Sequence, residues 1–349
     1  MNKTLKAAVA LSVLTAPAYA ANLENPLYMP KQNQMYSKTS VGVMYKVADD
    51  STAHVNKGHD GVTEFPIWRL HEDLGYGITD RLEAYAKIGY THDGDIDRKG
   101  MHQGRVGLKY RAFETTDGFA WDIYADAHLG GVSGMAGSYA ANGFTYDNYS
   151  NGRWGFHAGT QVGKTWSRFT GAAFFEVLQT FGNDNNEIDV TGFNVAQVNN
   201  LPATKLGFPD EISVDLKSTT EFNAGLKTFY QIDDRWSVGA GFTFKHHEDN
   251  GVEGLASDLG PINTGNPSMD SMLTGAGAQK QVVDGLLKLT EDMNDGFDEY
   301  IISLSGSYQL TDATQITLYG EYTFDDAHQM SQNGTDVKAE IGARVNVVF

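Results

Sequence analysis

Two segments at the carboxyl end of the chain alternate apolar and polar residues with a period of two. In the last, Ala339, Ile341, Ala343, Val345, Val347 and Phe349 alternate with Lys338, Glu340, Gly342, Arg344 and Asn346. The preceding one has Ile316, Leu318, Gly320, Tyr322 and Phe324 on one face and Gln315, Thr317, Tyr319, Glu321 and Thr323 on the other. This period predicts β-strands with one face in lipid and the other in water.

Ten further segments have a related pattern and the length of about ten residues that a tilted strand needs to cross the hydrocarbon. They are Thr39–Lys46, Glu64–Ile78, Leu82–Tyr90, Gln103–Phe113, Phe119–Leu129, Trp154–Val162, Phe169–Leu178, Phe222–Ile232, Trp236–Lys245 and Tyr300–Leu310. The second contains Pro66 and places Glu72 on the lipid face, which we interpret as a bulge or an early departure from the membrane. The predicted total of about twelve strands suits a single-chain bacterial barrel.

The connections between these segments alternate in length. Tight turns are predicted at 79–81, 116–118, 166–168, 233–235 and 311–313, and long stretches at 48–61, 91–100, 130–151, 182–216, 246–296 and 325–335. Aromatic residues beside the turns form a predicted belt: Tyr76, Phe119, Trp166, Phe169, Tyr230, Trp236 and Tyr308. We therefore predict an all-β fold, an antiparallel transmembrane β-barrel with short periplasmic turns and long extracellular loops. A soluble sandwich or propeller would have more even turn spacing.

The first twenty residues have the features of a secretory signal. Lys3 and Lys6 precede the apolar run 7–14, and Ala18-Tyr19-Ala20 forms a small-x-small cleavage site. We assign residues 1–20 to a signal peptide, 21–35 to a periplasmic N-terminal segment and 36–349 to the barrel. Entry of residues 21–35 into the barrel lumen is the alternative.

Composition and charge narrow the chemistry further. The chain has 39 glycines, 18 phenylalanines and 17 tyrosines with a mean hydropathy of −0.37, as expected when every second strand residue faces a polar interior. It has no cysteine, and its net charge of −18 opposes nucleic-acid binding. No phosphate loop, metal motif or cofactor motif is found. His246 and His247 lie beside acids but are interpreted as solvated loop, so we expect no enzyme.

With Phe349 closing an alternating strand behind a signal peptide, the chain resembles Gram-negative outer-membrane barrel proteins of the monomeric, porin-like kind. The resemblance implies an outer-membrane location in contact with lipid and lipopolysaccharide. It also implies that Phe349 is the assembly signal, since the barrel-assembly machinery reads a terminal aromatic residue.

Strand parity predicts which charged residues face the interior. The predicted pore-lining residues are Arg69, Lys87, Arg105, Lys109, Arg111, Asp122, Asp126, Glu221, Lys227, Glu321 and Arg344. Arg105, Lys109 and Arg111 form a basic ladder, and the turn at Asp117 brings Arg111 near Asp122. The ladder either attracts and orients anions in a pore or belongs to a structural layer of ion pairs.

The predicted extracellular loops are acidic, either as a cation-concentrating vestibule or as sites bridged to lipopolysaccharide by divalent ions. Residues 268–293 have a helical pattern and form a lid, a lumenal plug or a surface helix. We expect a channel for passive diffusion of small hydrophilic solutes. The alternative is a non-conducting surface protein whose loops bind a partner.

Overall fold

A computed structural model describes residues 22–47, 67–93, 98–129, 135–136, 140–141, 144–146, 154–189, 194–195, 201–248, 252–256, 259–292, 297–325 and 336–349. Twelve long strands dominate it: β1 (Met35–Val47), β2 (Ile67–Thr79), β3 (Leu82–Asp93), β4 (Arg98–Glu114), β5 (Phe119–His128), β6 (Gly155–Trp166), β7 (Phe169–Thr180), β8 (Thr219–Gln231), β9 (Trp236–His247), β10 (Phe297–Thr311), β11 (Thr314–Asp325) and β12 (Asp336–Val348). The predicted strands are confirmed over the described residues, and most of them extend a few residues beyond the predicted extracellular ends; residues 64–66 of the second predicted strand lie outside the described residues.

Each strand pairs antiparallel with its neighbour in the chain, and the sheet closes where β12 pairs with β1. Val43 lies opposite Ile341 in that seam, and at its periplasmic end the Phe349 amide donates to the Met35 carbonyl at 2.8 Å. The fold is thus a closed twelve-stranded antiparallel barrel, as the sequence predicted. Closure satisfies every sheet edge, which a strand in lipid requires because no water is present to do so.

The usual distribution of polar and apolar residues is inverted in this barrel. Along β5, Asp122 is fully buried while its neighbour Trp121 is 45% exposed. Leu318 of β11 and Ile341 of β12 are 65% and 64% exposed on the outer wall, whereas Thr317, the neighbour of Leu318 on β11, is fully buried. Apolar side chains point out and polar ones point in, which is the arrangement of a sheet that faces lipid.

The short turns carry the predicted aromatic belt. Trp166 and Phe169 stack across the β6–β7 turn with ring centroids 5.9 Å apart, and Trp236 lies 4.8 Å from Tyr308 between β9 and β10. Amphipathic rings of this kind prefer the headgroup region of a bilayer.

Glu72 has a different explanation from the two that the sequence offered. The register of β1 with β2 is continuous through Glu72, so no bulge is present there. Its carboxylate instead accepts hydrogen bonds from Ser37 at 2.6 Å and Thr39 at 2.5 Å, both on β1. Two hydroxyls of the neighbouring strand thus solvate the acid on the outer wall.

The long connections contain structure that the sequence analysis treated as loop. Five short strands, Ala140–Ala141, Phe144–Tyr146, Asn183–Asp189, Glu211–Leu216 and Val252–Ala256, form a second sheet. Met135–Ala136 adds to β4, Asn194–Val195 pairs with Leu201–Pro202, and residues Ala203–Leu206 form a 3-10 helix. The alternation of Ile212, Val214 and Leu216 within an acidic stretch is the signal that strand prediction missed.

The helical pattern in the longest connection is confirmed as two helices, α1 (Pro267–Gly275) and α2 (Ala278–Asp292). Asn266 caps α1 by accepting from the amides of Ser268 and Met269. At the start of α2, Gln279 donates to the carbonyls of Leu206 and Gly260. These contacts tie the helices to neighbouring loops, which is the surface-helix alternative. Among the described residues, no helix is long and apolar enough to cross a membrane.

Candidate functional site in the barrel lumen

A segment that precedes β1, residues 22–30, lies inside the barrel and is called here the lumenal segment. Side chains from strands on all sides donate to it or accept from it: Lys38 to the Leu23 carbonyl (2.8 Å), Lys109 to Tyr28 (3.0 Å), Arg111 to Leu27 (2.6 Å), Gln161 to Pro26 (2.6 Å) and Asn25 to Thr170 (3.3 Å). Lumenal cations and amides thereby satisfy backbone carbonyls that no sheet or helix would pair.

The lumenal segment is also anchored by apolar contacts. Leu23 and Leu27 are 2% and 7% exposed, and Leu27 packs with Ala120 and Ala172 on the inner wall. The partners lie near the periplasmic turns, so the segment crosses the lumen at that end. The sequence assignment put residues 21–35 in the periplasm with lumenal entry as the alternative, and the contacts of residues 22–30 are those of the alternative.

Arg111 and Asp122 form the pair that the sequence predicted across the β4–β5 turn. The guanidinium binds the carboxylate through two nitrogens, at 2.8 and 3.2 Å, and the Lys109 ammonium lies 3.4 Å from the same group. Two cations thus surround one fully buried acid and also hold the lumenal segment. Lys109 and Arg111 of the predicted basic ladder therefore form structural contacts with Asp122 and with the lumenal segment, as in the structural alternative.

Arg344 serves the opposite side of the lumenal segment in the same way. Its guanidinium contacts both carboxylate oxygens of Glu24 at 3.1 Å, and Asn346 donates to Glu24 at 2.8 Å. The guanidinium also lies over the Tyr319 ring, 5.1 Å from its centroid. Arg344, predicted to face the interior, therefore pairs with Glu24, an acid of the lumenal segment and not of a strand.

Four inward tyrosines each donate a hydrogen bond to an inward carboxylate, a feature that the sequence analysis missed. The pairs are Tyr36 with Glu83 (2.5 Å), Tyr85 with Asp126 (2.7 Å), Tyr124 with Glu176 (2.6 Å) and Tyr319 with Glu340 (2.9 Å). All four tyrosines share strand parity with charged interior residues, and that parity was the signal available.

Each of these rings lies on a glycine of the next strand. The direct cross-strand partners are Tyr36 and Gly75, Tyr85 and Gly107, Tyr124 and Gly159, and Tyr319 and Gly342. A Cβ added to Gly159 would stand 2.5 Å from the Tyr124 ring, and one at Gly342 would stand 2.3 Å from that of Tyr319. Only glycine permits this approach, so the rings lie flat against the wall and leave the centre of the lumen free.

Asp126 and Glu176 are joined by a histidine between them. His157 Nδ1 lies 2.7 Å from Asp126, and its Nε2 lies 3.7 Å from Glu176. With Tyr85 and Tyr124 at the two ends, the five side chains form one polar cluster on the inner wall, in which the contact between His157 and Glu176 has ion-pair distance and is not a hydrogen bond. Asp126, predicted as pore-lining, is nearly fully buried in this cluster.

Two residues that were predicted to line the pore, Glu221 and Arg69, form ion pairs at other places on the inner wall. Glu221 lies 3.2 Å from Lys245 and 3.4 Å from His247, near the extracellular ends of β8 and β9. Arg69 of β2 lies 3.3 Å from Glu340 of β12 and borders a second, smaller cavity. These positions suit an ion-paired inner wall.

Above the lumenal segment, the lumen contains a polar cavity of about 520 Å³. Its charged lining residues are Glu24, Lys38, Glu83, Lys87, Arg105, Lys109, His157, Glu176, Lys227, Glu321 and Arg344. A second cavity of about 300 Å³ shares six lining residues with it, namely Lys38, Lys87, Arg105, Tyr319, Glu321 and Arg344. The two cavities therefore adjoin and extend the free space along the barrel.

Comparison with solved structures identifies the architecture. A structure of an outer membrane channel from Pseudomonas putida F1 matches 96% of this chain and 100% of its own with a TM-score of 0.55 and 11% identity. The fold is that of an outer-membrane β-barrel. The Pseudomonas putida toluene transporter TodX matches 95% of this chain and 90% of its own (TM-score 0.43, 8% identity).

The β domain of a Bordetella autotransporter is similar to a comparable degree. It matches 91% of this chain and 100% of its own, with a TM-score of 0.46 and 11% identity. No protein-family model matches the sequence, and no curated protein matches it either. At identities this low the likeness concerns the fold alone.

Proposed function

We propose that this barrel is an outer-membrane channel for passive diffusion of small hydrophilic solutes, with the lumenal segment as its periplasmic constriction. The observation that carries the proposal is the polar cavity of about 520 Å³ inside a lipid-facing wall. Lys87, Lys227 and Glu321 expose their side chains there although they lie within the barrel. Charged groups keep such exposure only where water reaches them.

The wall geometry supports the same proposal. The tyrosine rings that would otherwise fill the lumen are held flat on glycines by hydrogen bonds to carboxylates. Twelve strands give a diameter between that of filled eight-stranded barrels and that of open porins, so the side-chain arrangement decides whether space remains. The fold match to an outer membrane channel agrees with this function and with an outer-membrane location.

A non-conducting surface protein is the second candidate, and one observation favours it. The lumenal segment binds β1, β4, β6, β7 and β12 at once, so it spans the periplasmic end of the lumen. If that end is sealed, the loops and not the lumen carry the function.

Liposome swelling separates the two candidates without a need for charged solutes. The refolded protein is reconstituted, and swelling is recorded in isotonic arabinose, glucose and the larger sugar raffinose. The channel proposal expects swelling above protein-free liposomes, fastest with arabinose and slowest with raffinose. Swelling equal to that of protein-free liposomes for all three sugars, with folded insertion verified, overturns it.

A further inference from the structure

Two cations face each other directly on the inner wall. Lys87 of β3 and Arg105 of β4 are cross-strand partners in the register, and both border the two lumenal cavities. Like charges directly opposite on a sheet destabilise it unless a counter-charge or water compensates them. Elsewhere on this wall an acid neutralises the cation beside it, as Asp122 does for Arg111.

Lys87 and Arg105 have no such acid. Among the described residues, neither forms an ion pair, and Nε of Arg105 is buried without a hydrogen-bond partner. Lys227 of β8 lines the same cavity, also without an ion pair in the described part of the chain, with its ammonium 4.4 Å from the Phe174 ring centre. Within this cavity the Lys227 ammonium is attracted by Glu176 and repelled by Lys87. Three cations therefore border one space, and among the described residues no acid lies within ion-pair distance of any of them; Glu176, which lines the same cavity, is the acid that interacts most strongly with Lys227.

The wall that closes this space on another side is small and neutral. Ser303 and Ser305 of β10 lie over Gly241 and Gly239 of β9, and the four residues line the cavity. A Cβ on Gly241 or Gly239 would stand 2.5 or 2.6 Å from the facing serine hydroxyl. The glycines thus make room for the serine side chains, which keep this part of the wall thin and line the cavity with hydroxyl groups.

From this juxtaposition we propose that Lys87, Arg105 and Lys227 bind the carboxylate of a small hydroxylated organic anion whose hydroxyl groups face Ser303 and Ser305. The guanidinium matches a carboxylate in geometry, and the two ammonium groups supply attraction from the sides. The inference rests on the proposed function, because the anion reaches the site through the lumen. It narrows the solute class from small hydrophilic molecules to anionic ones.

Acids also line the cavity and would favour cations. Glu24, Glu83, Glu176 and Glu321 line the same cavity, and the whole chain carries a net charge of −18. If these acids or the net negative charge of the chain govern permeation, the barrel prefers cations.

Equilibrium binding tests the site itself. Gluconate is titrated into the refolded, detergent-solubilised barrel by isothermal calorimetry, with glucose as the neutral comparison. We expect saturable gluconate binding, no glucose binding, and a dissociation constant about tenfold higher in each of Lys87→Gln, Arg105→Gln and Lys227→Gln. Lys164→Gln, which removes an outward cation at the periplasmic rim, leaves it unchanged. Absent gluconate binding in the folded wild type, or equal binding by all variants, overturns the inference.

Reversal potentials in a planar bilayer with a tenfold KCl gradient separate this inference from the proposed function. Chloride preference that falls in the triple Lys87→Gln, Arg105→Gln, Lys227→Gln variant supports both. A conducting barrel that prefers potassium overturns the anion site and leaves the channel. A silent bilayer with gluconate binding intact overturns the channel and leaves a binding site.

Discussion

The contact between Tyr124 and Gly159 allows a sharp prediction about how the lumen is kept open. In Gly159→Ala the new Cβ would lie 2.5 and 2.6 Å from two ring carbons of Tyr124 and 2.8 Å from its hydroxyl oxygen. Carbon atoms in contact prefer about 3.5–4.0 Å, so the ring must move by about 1 Å. That movement strains the 2.6 Å hydrogen bond from its hydroxyl to Glu176.

The expected cost follows from these two effects. Overpacking costs about 1–3 kcal/mol, and a weakened hydrogen bond to a charged group about 1.5–3 kcal/mol. Since the ring relaxes in part, we expect Gly159→Ala to destabilise the barrel by about 3 kcal/mol. Gly306→Ala is the matched control, because Gly306 is also in a strand and a Cβ there meets nothing within 4 Å. Its effect should be below about 1 kcal/mol and of stabilising sign.

Urea unfolding of the refolded barrel, followed by tryptophan fluorescence, measures both values. The same substitution in a Tyr124→Ala background isolates the contact, since the ring that Gly159→Ala disturbs is then absent. The reasoning is refuted if Gly159→Ala costs no more than Gly306→Ala, or if its cost is undiminished without Tyr124.

Three further predictions follow from ion pairs. Arg111→Met removes the main partner of the buried Asp122, so the free energy of unfolding in urea should fall by about 3–5 kcal/mol. It should fall by less in the double variant Arg111→Met, Asp122→Leu, in which no buried acid is left unpaired. Equal losses in the single and double variants would contradict a buried ion pair. Glu24→Gln should make residues 22–30 cleavable in limited proteolysis at doses that spare the wild type. The Lys164 ammonium and the Thr115 hydroxyl lower the pKa of Asp117 to about 2 from its ordinary 3.8. The stabilisation from the pair of Asp117 and Lys164 is therefore present above about pH 4 and is lost as the pH falls through about 2. A carboxyl NMR titration should show a higher pKa of Asp117 in Lys164→Gln.

The strands were predictable because the pleat imposes a period of two and the lipid requires apolar residues at every second position. Gln315 to Phe324 shows this on both faces, and β11 is found there. Parity also predicted the inward direction of Arg111 and Asp122, and the tight turn predicted their contact. Local pattern therefore carried the architecture and the nearest pairs.

Contacts between distant parts of the chain were not predictable from pattern. The lumenal segment has no periodicity, and its location depends on partners such as Arg344, which is 320 residues from Glu24. Its position decides which lumenal cations bind the lumenal segment and which face the cavity without contacting that segment. The tyrosine and glycine pairs likewise need the strand register, because Tyr124 and Gly159 become neighbours only when β5 pairs with β6.

Single-channel conductance tests the central claim, that the lumen conducts and the lumenal segment narrows it. The folded wild type and a variant lacking residues 22–30 are compared in planar bilayers in 1 M KCl, with folding checked by heat-modifiable gel migration. We expect small, steady conductance steps in the wild type and severalfold larger ones in the variant. Silent bilayers for both folded proteins, or equal conductance, would contradict it.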